Sequence, residues 1–216
     1  MSVSFTMPET IMRHCVGLAH RADADAVNAL RLELYRQARE FRLLRPEQLV
    51  WNGCHDDGAV AAGWDVDGRL IATMQSRIVP TRARAEEKLG ISVALDESWF
   101  PAAILSRAAT ARGHGRSGLN SVLRWHMLRA AQAWGCRSLL GLVYADAPRL
   151  NLMRALGYRF QSPEHVWDDE VEPIQPPLLA YLAAADFSAA LATFETTAAE
   201  PIASFPWRGP ALVIPG

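Results

Sequence analysis

Arg112-Gly113-His114-Gly115-Arg116-Ser117-Gly118 joins two segments of different character. Before it, the run Trp99-Phe-Pro-Ala-Ala-Ile-Leu-Ser106 is apolar and strand-like. After it, apolar residues recur at Leu119, Val122, Leu123, Met127, Ala130, Ala131 and Trp134, the spacing of one helical face. A strand, a glycine-rich turn and a helix N-terminus together make an anion site. Glycines let the backbone approach a ligand, unpaired N–H groups point outward, and the helix dipole favours negative charge. The charge pattern agrees: no Asp or Glu occurs from Ser98 to Ala145, while Arg107, Arg112, Arg116, Arg124, Arg129 and Arg137 all fall there. The stretch reads as a phosphate-bearing cofactor site. The plainer alternative is a tight connector beside a solvated arginine face.

Gly113-x-Gly115-x-x-Gly118 is also the fingerprint of a dinucleotide-binding fold, which needs an acidic residue about twenty positions on for the ribose. That neighbourhood is Arg137-Ser138-Leu139, with no acid before Asp146. A nicotinamide-binding protein is therefore disfavoured, though it stays as an alternative.

The same run, as Arg112-x-x-Gly115-x-Ser117, resembles the Arg-x-x-Gly-x-Gly/Ala turn of the GNAT acyltransferase superfamily, with Ser117 in place of Gly or Ala. In that family the turn's amides bind the pyrophosphate of coenzyme A or of a carrier-bound pantetheine. A second landmark follows. Ser138-Leu-Leu-Gly-Leu-Val143 reads as a buried strand, and Ala147 to Leu156 as a helix with Pro148 in its first turn. Gly157-Tyr-Arg-Phe160 closes that helix as the family's motif does.

At 216 residues the chain can bury one core, and a single GNAT-like domain over 1–216 with a C-terminal extension from about 168 is expected. A hydrophobic share of 50% with 21% charged is ordinary for a globular protein, and a net charge of -1 argues against nucleic-acid binding. Cys15, Cys54 and Cys136 form neither a metal spacing nor a disulfide framework, which suits a reducing cytoplasm. No signal peptide, transmembrane segment or metal site is expected.

Along the chain, Met1 to about His20 reads as irregular, and Asp23 to Phe41 as a helix with Ala26, Val27, Leu30, Leu34, Ala38 and Phe41 in register. Ala59 to Val66 and Arg69 to Val79 read as a hairpin joined at Asp67-Gly68. Thr81 to Leu89 reads as a helix, Gln161 to Trp167 as a further strand, Leu178 to Ala198 as a long helix, and Pro201 to Gly216 as an extended tail. The order indicates an α/β (α+β) fold, a mixed central sheet flanked by helices. The GNAT resemblance adds splayed middle strands.

The first half also resembles one GNAT branch, the acyl-homoserine-lactone synthases and long-chain N-acyl amino acid synthases. Arg31, Tyr35 and Phe41 match its N-terminal arginine and aromatics, Asp56 and Asp57 its acids before the hairpin, and Arg77-Ile-Val-Pro-Thr81 its strand-end corner. Ser106-Arg107 matches only the second half of its Glu-x-Ser-Arg motif, because Ile104 replaces the glutamate. The resemblance implies an N-acyltransferase that uses acyl-coenzyme A or an acyl-phosphopantetheine on an acyl carrier protein, with a small-molecule amine such as an amino acid as acceptor. It implies thioester binding at Ala108, Ala109 and Thr110 and at the turn from Arg112 to Gly118. Acceptor binding falls to Arg31, Tyr35, Arg77 and Arg107.

Acyl transfer needs a neutral amine, a stabilised oxyanion and a proton for the departing thiolate. The superfamily's tyrosine acid aligns with Met153, which cannot donate a proton. Glu97, near the start of the central strand, and Tyr144, at the end of the next, are the substitute catalytic candidates. The missing glutamate and tyrosine keep open a second function, a non-catalytic module that binds an acyl-coenzyme A and regulates a partner.

Overall fold

The computed structural model describes residues 14–37, 49–53, 58–166, 177–210 and 212. Phe41, Cys54, Asp56 and Asp57, singled out above, lie outside them. The described strands form one eight-stranded mixed sheet in the order β6-β7-β5-β4-β3-β2-β1-β8. They are β1 (Cys15–Leu18), β2 (Ala59–Trp64), β3 (Leu70–Val79), β4 (Ala102–Thr110), β5 (Ser138–Val143), β6 (Arg159–Gln161), β7 (Leu178–Ala183) and β8 (Trp207–Arg208). The fully described α-helices, in chain order, are α1 (Ala24–Gln37), α2 (Arg82–Leu89), α3 (Leu119–Ala133), α4 (Leu150–Ala155), α5 (Phe187–Thr197) and α6 (Ala199–Ser204). This is the expected mixed sheet flanked by helices.

Strand alternation sorts the side chains onto two faces. On one, Ala61, Met74, Leu105 and Leu139 pack against Leu119, Val122, Leu123 and Met127 of α3. On the other, Ile104, Leu140 and Val79 pack with Ala85 of α2, and Val60 and Ala62 pack with Val27 of α1 and Trp51. Two side-chain hydrogen bonds between Asn28 and the Trp51 backbone, at 2.7 and 2.9 Å, fasten residues near Trp51 to α1. The β2–β3 turn is held by Asp65, whose Oδ1 accepts from the amides of Asp67 and Arg69.

Several elements differ from the sequence reading. The long helix expected over Leu178 to Ala198 begins instead with β7, which pairs antiparallel with both β5 and β6. An interior strand covered on both faces is apolar almost throughout, and periodicity cannot tell that from a buried helix. Residues past about 168, expected as an extension, thus put a strand inside the sheet. β1 forms where an irregular segment was expected; its four residues carry little periodic signal, and their pairing with β2 makes the strand. The central strand starts at Ala102 rather than Trp99, because a short 3-10 turn over Glu97–Trp99, capped by Asp96, precedes it. Pro148 sits in a turn ahead of α4 rather than within a helix. The segment from Gln161 is a strand only at its first residue, with Val166 bridged to Ile91. The tail folds as α6 and β8 rather than running extended throughout.

Candidate active site

β4 and β5 run parallel, but they pair only from Ala102 with Ser138 to Leu105 with Gly141. Past that point β5 pairs with β7 alone, while β4 continues from Ser106 to Thr110 beside β3. A bulge accompanies the parting. Gln75 faces Ser106 and Thr73 faces Ala109, so Arg107 and Ala108 together oppose Met74. Arg107 takes φ 52°, a left-handed conformation rare outside glycine. The middle strands therefore splay, and the edge of β4 that faces the opening has main-chain groups to offer.

The glycine turn closes the far end of that edge. The Ala111 amide donates to Ile71 O, His114 N to Ala111 O, and Ser117 N to His114 O. Ser117 Oγ folds inward to donate to His114 O at 2.7 Å, so the residue that departs from Gly or Ala spends its hydroxyl inside the turn. Gly118 is the N-cap of α3 and supplies no side-chain cap. Among the described residues, the amides of Gly113, Gly115 and Arg116 make no hydrogen bond. A Cβ on Gly115 would have no heavy atom within 4 Å, whereas one on Gly118 would lie 2.4 Å from Pro201 Cγ of α6. The turn is thus open on its outer side and braced behind. Arg112 and Arg116 are exposed, and His114 sits edge-on to His14, 6.4 Å between centroids, which itself stacks on Phe205. The free donors and the bare glycine fit a phosphate or pyrophosphate.

A second group forms around the bulge. Arg31, on α1, is wholly buried; its Nε donates to Thr73 Oγ1 and its Nη1 to Leu49 O and Gln75 Oε1 at 3.4–3.5 Å. Among the described residues its Nη2 has no partner. Burial first, and Arg107 second, pull its pKa down to about 9. Gln75 Oε1 also accepts from Arg107 Nη1 at 3.0 Å, linking the two arginines. Tyr35, one turn on from Arg31, donates its hydroxyl to Ala108 O at 3.2 Å. Burial raises the Tyr35 pKa; Arg31, Arg149 and Arg107 oppose the rise, and Tyr144 adds to it. Arg149 donates to Leu142 O at 3.2 Å from the turn after β5.

Arg31, Tyr35 and Arg107 thus converge with Ala108, and Tyr144 and Arg149 face them from the β5 side. Arg77 lies two residues along β3 from Gln75, opposite Ile104. Glu97 is not brought to this group: it precedes β4, its carboxylate accepts from Arg82 N at 3.4 Å, and six strand steps separate Ala102 from Ala108, roughly 20 Å. Ile104 and Met153 are core side chains. The sequence reading passed over Thr73, Gln75 and Arg149. The polar residues Thr73, Gln75, Ser76 and Arg77 within one strand were the available signal, because burying polar groups is costly without partners. His126 packs between Trp125 and Trp207, and burial followed by Arg129 lowers its pKa to about 4. Among the described residues, no group of His, Cys, Asp and Glu could hold a metal ion, and no helix is long and apolar enough to cross a membrane.

The sequence matches no protein-family model and no curated protein. Solved structures match its fold. An acyl-homoserine lactone synthase, BjaI, solved with SAM and isopentyl-CoA, superposes with TM-score 0.61 at 13% identity, covering 92% of this chain and 95% of that one. The ribosomal-protein-S18-alanine N-acetyltransferase from Escherichia coli gives 0.57 at 13% identity over 79% and 94%. A ribosomal-protein-alanine N-acetyltransferase from Brucella melitensis gives 0.55 at 15% identity over 78% and 98%. The chain has the GNAT fold.

Proposed function

We propose that this protein is an N-acyltransferase that moves an acyl group from a coenzyme A or phosphopantetheine thioester to an amine acceptor. The observation that carries the reading is the open, unpartnered glycine turn at the head of α3, set at the end of a β4 edge that β5 has left free. A pyrophosphate on the turn would lay the pantetheine arm along Ala108 to Thr110, whose amides can meet the developing oxyanion. Arg31, Tyr35, Arg77 and Arg107 would then take the acceptor. An amino acid acceptor and a long acyl chain between the splayed strands follow from the synthase-like layout. A carrier-bound donor would dock its acidic carrier on exposed Arg112 and Arg116. Of the expected proton carriers, Tyr144 stands at the opening, whereas Glu97 would have to act from the far end of β4.

The second reading is a thioester-binding module without turnover. It is favoured by two buried apolar residues, Ile104 and Met153, where the family carries catalytic groups. Mass spectrometry of the protein with short- and long-chain acyl-coenzyme A and pooled amino acids separates the two. A new N-acyl amino acid supports transfer; thermal stabilisation by thioesters without product supports the module; the absence of both product and stabilisation removes both readings.

A further inference from the structure

Transfer to an amine leaves a thiolate that needs a proton, and Met153 cannot supply one from the position where the superfamily carries a tyrosine. Resting on the transfer reading above, we infer that Tyr35 is the general acid that protonates the departing sulfur.

The argument begins with placement. α1 packs across β3 and β4, and Tyr35 extends from it to the bulge, where its hydroxyl donates to Ala108 O at 3.2 Å. Ala108 belongs to the part of β4 beyond its last pair with β5, so its surroundings are the opening between the strands. Four chain steps separate Ala108 from Arg112, roughly 13 Å at the rise of a strand. That is within reach of a pantetheine arm whose phosphate is held at the turn, so the sulfur comes to the bulge. Tyr35 is half-buried: it is shielded from bulk water yet still open to a ligand.

Its neighbours suit the task. Arg31 faces it from its own helix, Arg107 from β4, Arg149 from the turn after β5 and Tyr144 from the end of β5. Burial is the largest influence and keeps the phenol protonated near neutral pH. The three guanidinium groups act the other way and stabilise the phenolate that follows proton transfer. The step balances without a further reagent. The amine nitrogen bonds to the thioester carbonyl carbon, the C–S bond breaks with its electron pair on sulfur, and sulfur takes the Tyr35 proton. The phenolate regains a proton from the nitrogen, directly or through one water. The products are an amide and a neutral thiol.

The test uses the full chain with acyl-coenzyme A and the acceptor identified by mass spectrometry. Tyr35→Phe should lower kcat by about a hundredfold or more while acyl-coenzyme A affinity stays within about twofold. A 3-fluorotyrosine at position 35 adds a direct reading. Its fluorine resonance should move on adding coenzyme A and stay in place with the desulfo analogue, which lacks the sulfur. Wild-type kcat in Tyr35→Phe, or equal responses to the two ligands, overturns the assignment and leaves the transfer reading standing. A loss of kcat in Tyr144→Phe with none in Tyr35→Phe moves the role to Tyr144 and also overturns it. A wild-type protein that neither binds coenzyme A nor releases thiol refutes both the transfer reading and this one.

Discussion

Gly115→Val and Gly118→Ala should fail in opposite ways, although the two glycines are three residues apart. At Gly115 an added Cβ meets no heavy atom within 4 Å, and its φ is not positive. The substitution therefore brings neither clash nor strain, and by narrowing the unfolded ensemble it should stabilise by up to about 1 kcal/mol. The same empty space is where the phosphate would rest. Losing two charge-assisted hydrogen bonds at about 1.5 kcal/mol each weakens coenzyme A by roughly a hundredfold. At a concentration of about 100 Kd, ligand stabilisation would drop from about 2.7 to about 0.4 kcal/mol. Gly118 has φ 74° and Pro201 Cγ 2.4 Å from the place of a Cβ. Left-handed strain and overpacking together cost about 2–4 kcal/mol, a fall in Tm of roughly 5–10 °C. Thermal melts with and without coenzyme A, together with calorimetric titration, read both effects. A folded Gly115→Val protein that binds coenzyme A as wild type does would refute the phosphate turn. A Gly118→Ala protein with unchanged Tm would refute the bracing by α6.

Two further outcomes follow from buried charge. Among the described residues Arg31 has no carboxylate partner, its hydrogen bonds are long and its Nη2 has none, so Arg31→Met should change unfolding free energy by no more than about 1 kcal/mol or raise it. A loss above about 2 kcal/mol in denaturant titration would show that the charge is compensated. His126 has a folded pKa of about 4, below its ordinary 6.5. The unfolded chain binds its proton first as pH falls from about 6.5 to 4, so this histidine removes stability across that window, by roughly 3 kcal/mol in full. His126→Gln should flatten the acid limb of stability; an equally steep limb in the variant would show that other groups set it.

Much of this was legible locally. Leu119 to Ala131 keep helical spacing because that helix is two-faced, with one face on the sheet. The β2–β3 hairpin was marked by Asp67-Gly68, and Gly68 does take φ 76°. The glycine turn ahead of α3 could be read because its requirements are short-range: glycines and a helix start. The site around the bulge could not be read in the same way. Arg31, Gln75, Arg107 and Arg149 come from separate elements, and no spacing along the chain says that one glutamine oxygen accepts from two arginines.

β7 marks the boundary between the two kinds of information. Residues Leu178 to Ala183 are apolar enough for helix or strand, and only the vacancy between β5 and β6 decides for strand, because there their backbone groups find partners on both sides. The parting of β4 from β5 has the same origin, since a bulge is a property of two strands in register rather than of either alone. The sequence by itself determined the helix faces, the hairpin and the glycine turn ahead of α3, where the deciding contacts span a few residues. Tertiary structure decided the strand order, the splay and the arginine–tyrosine group within it, because those contacts join residues far apart in the chain.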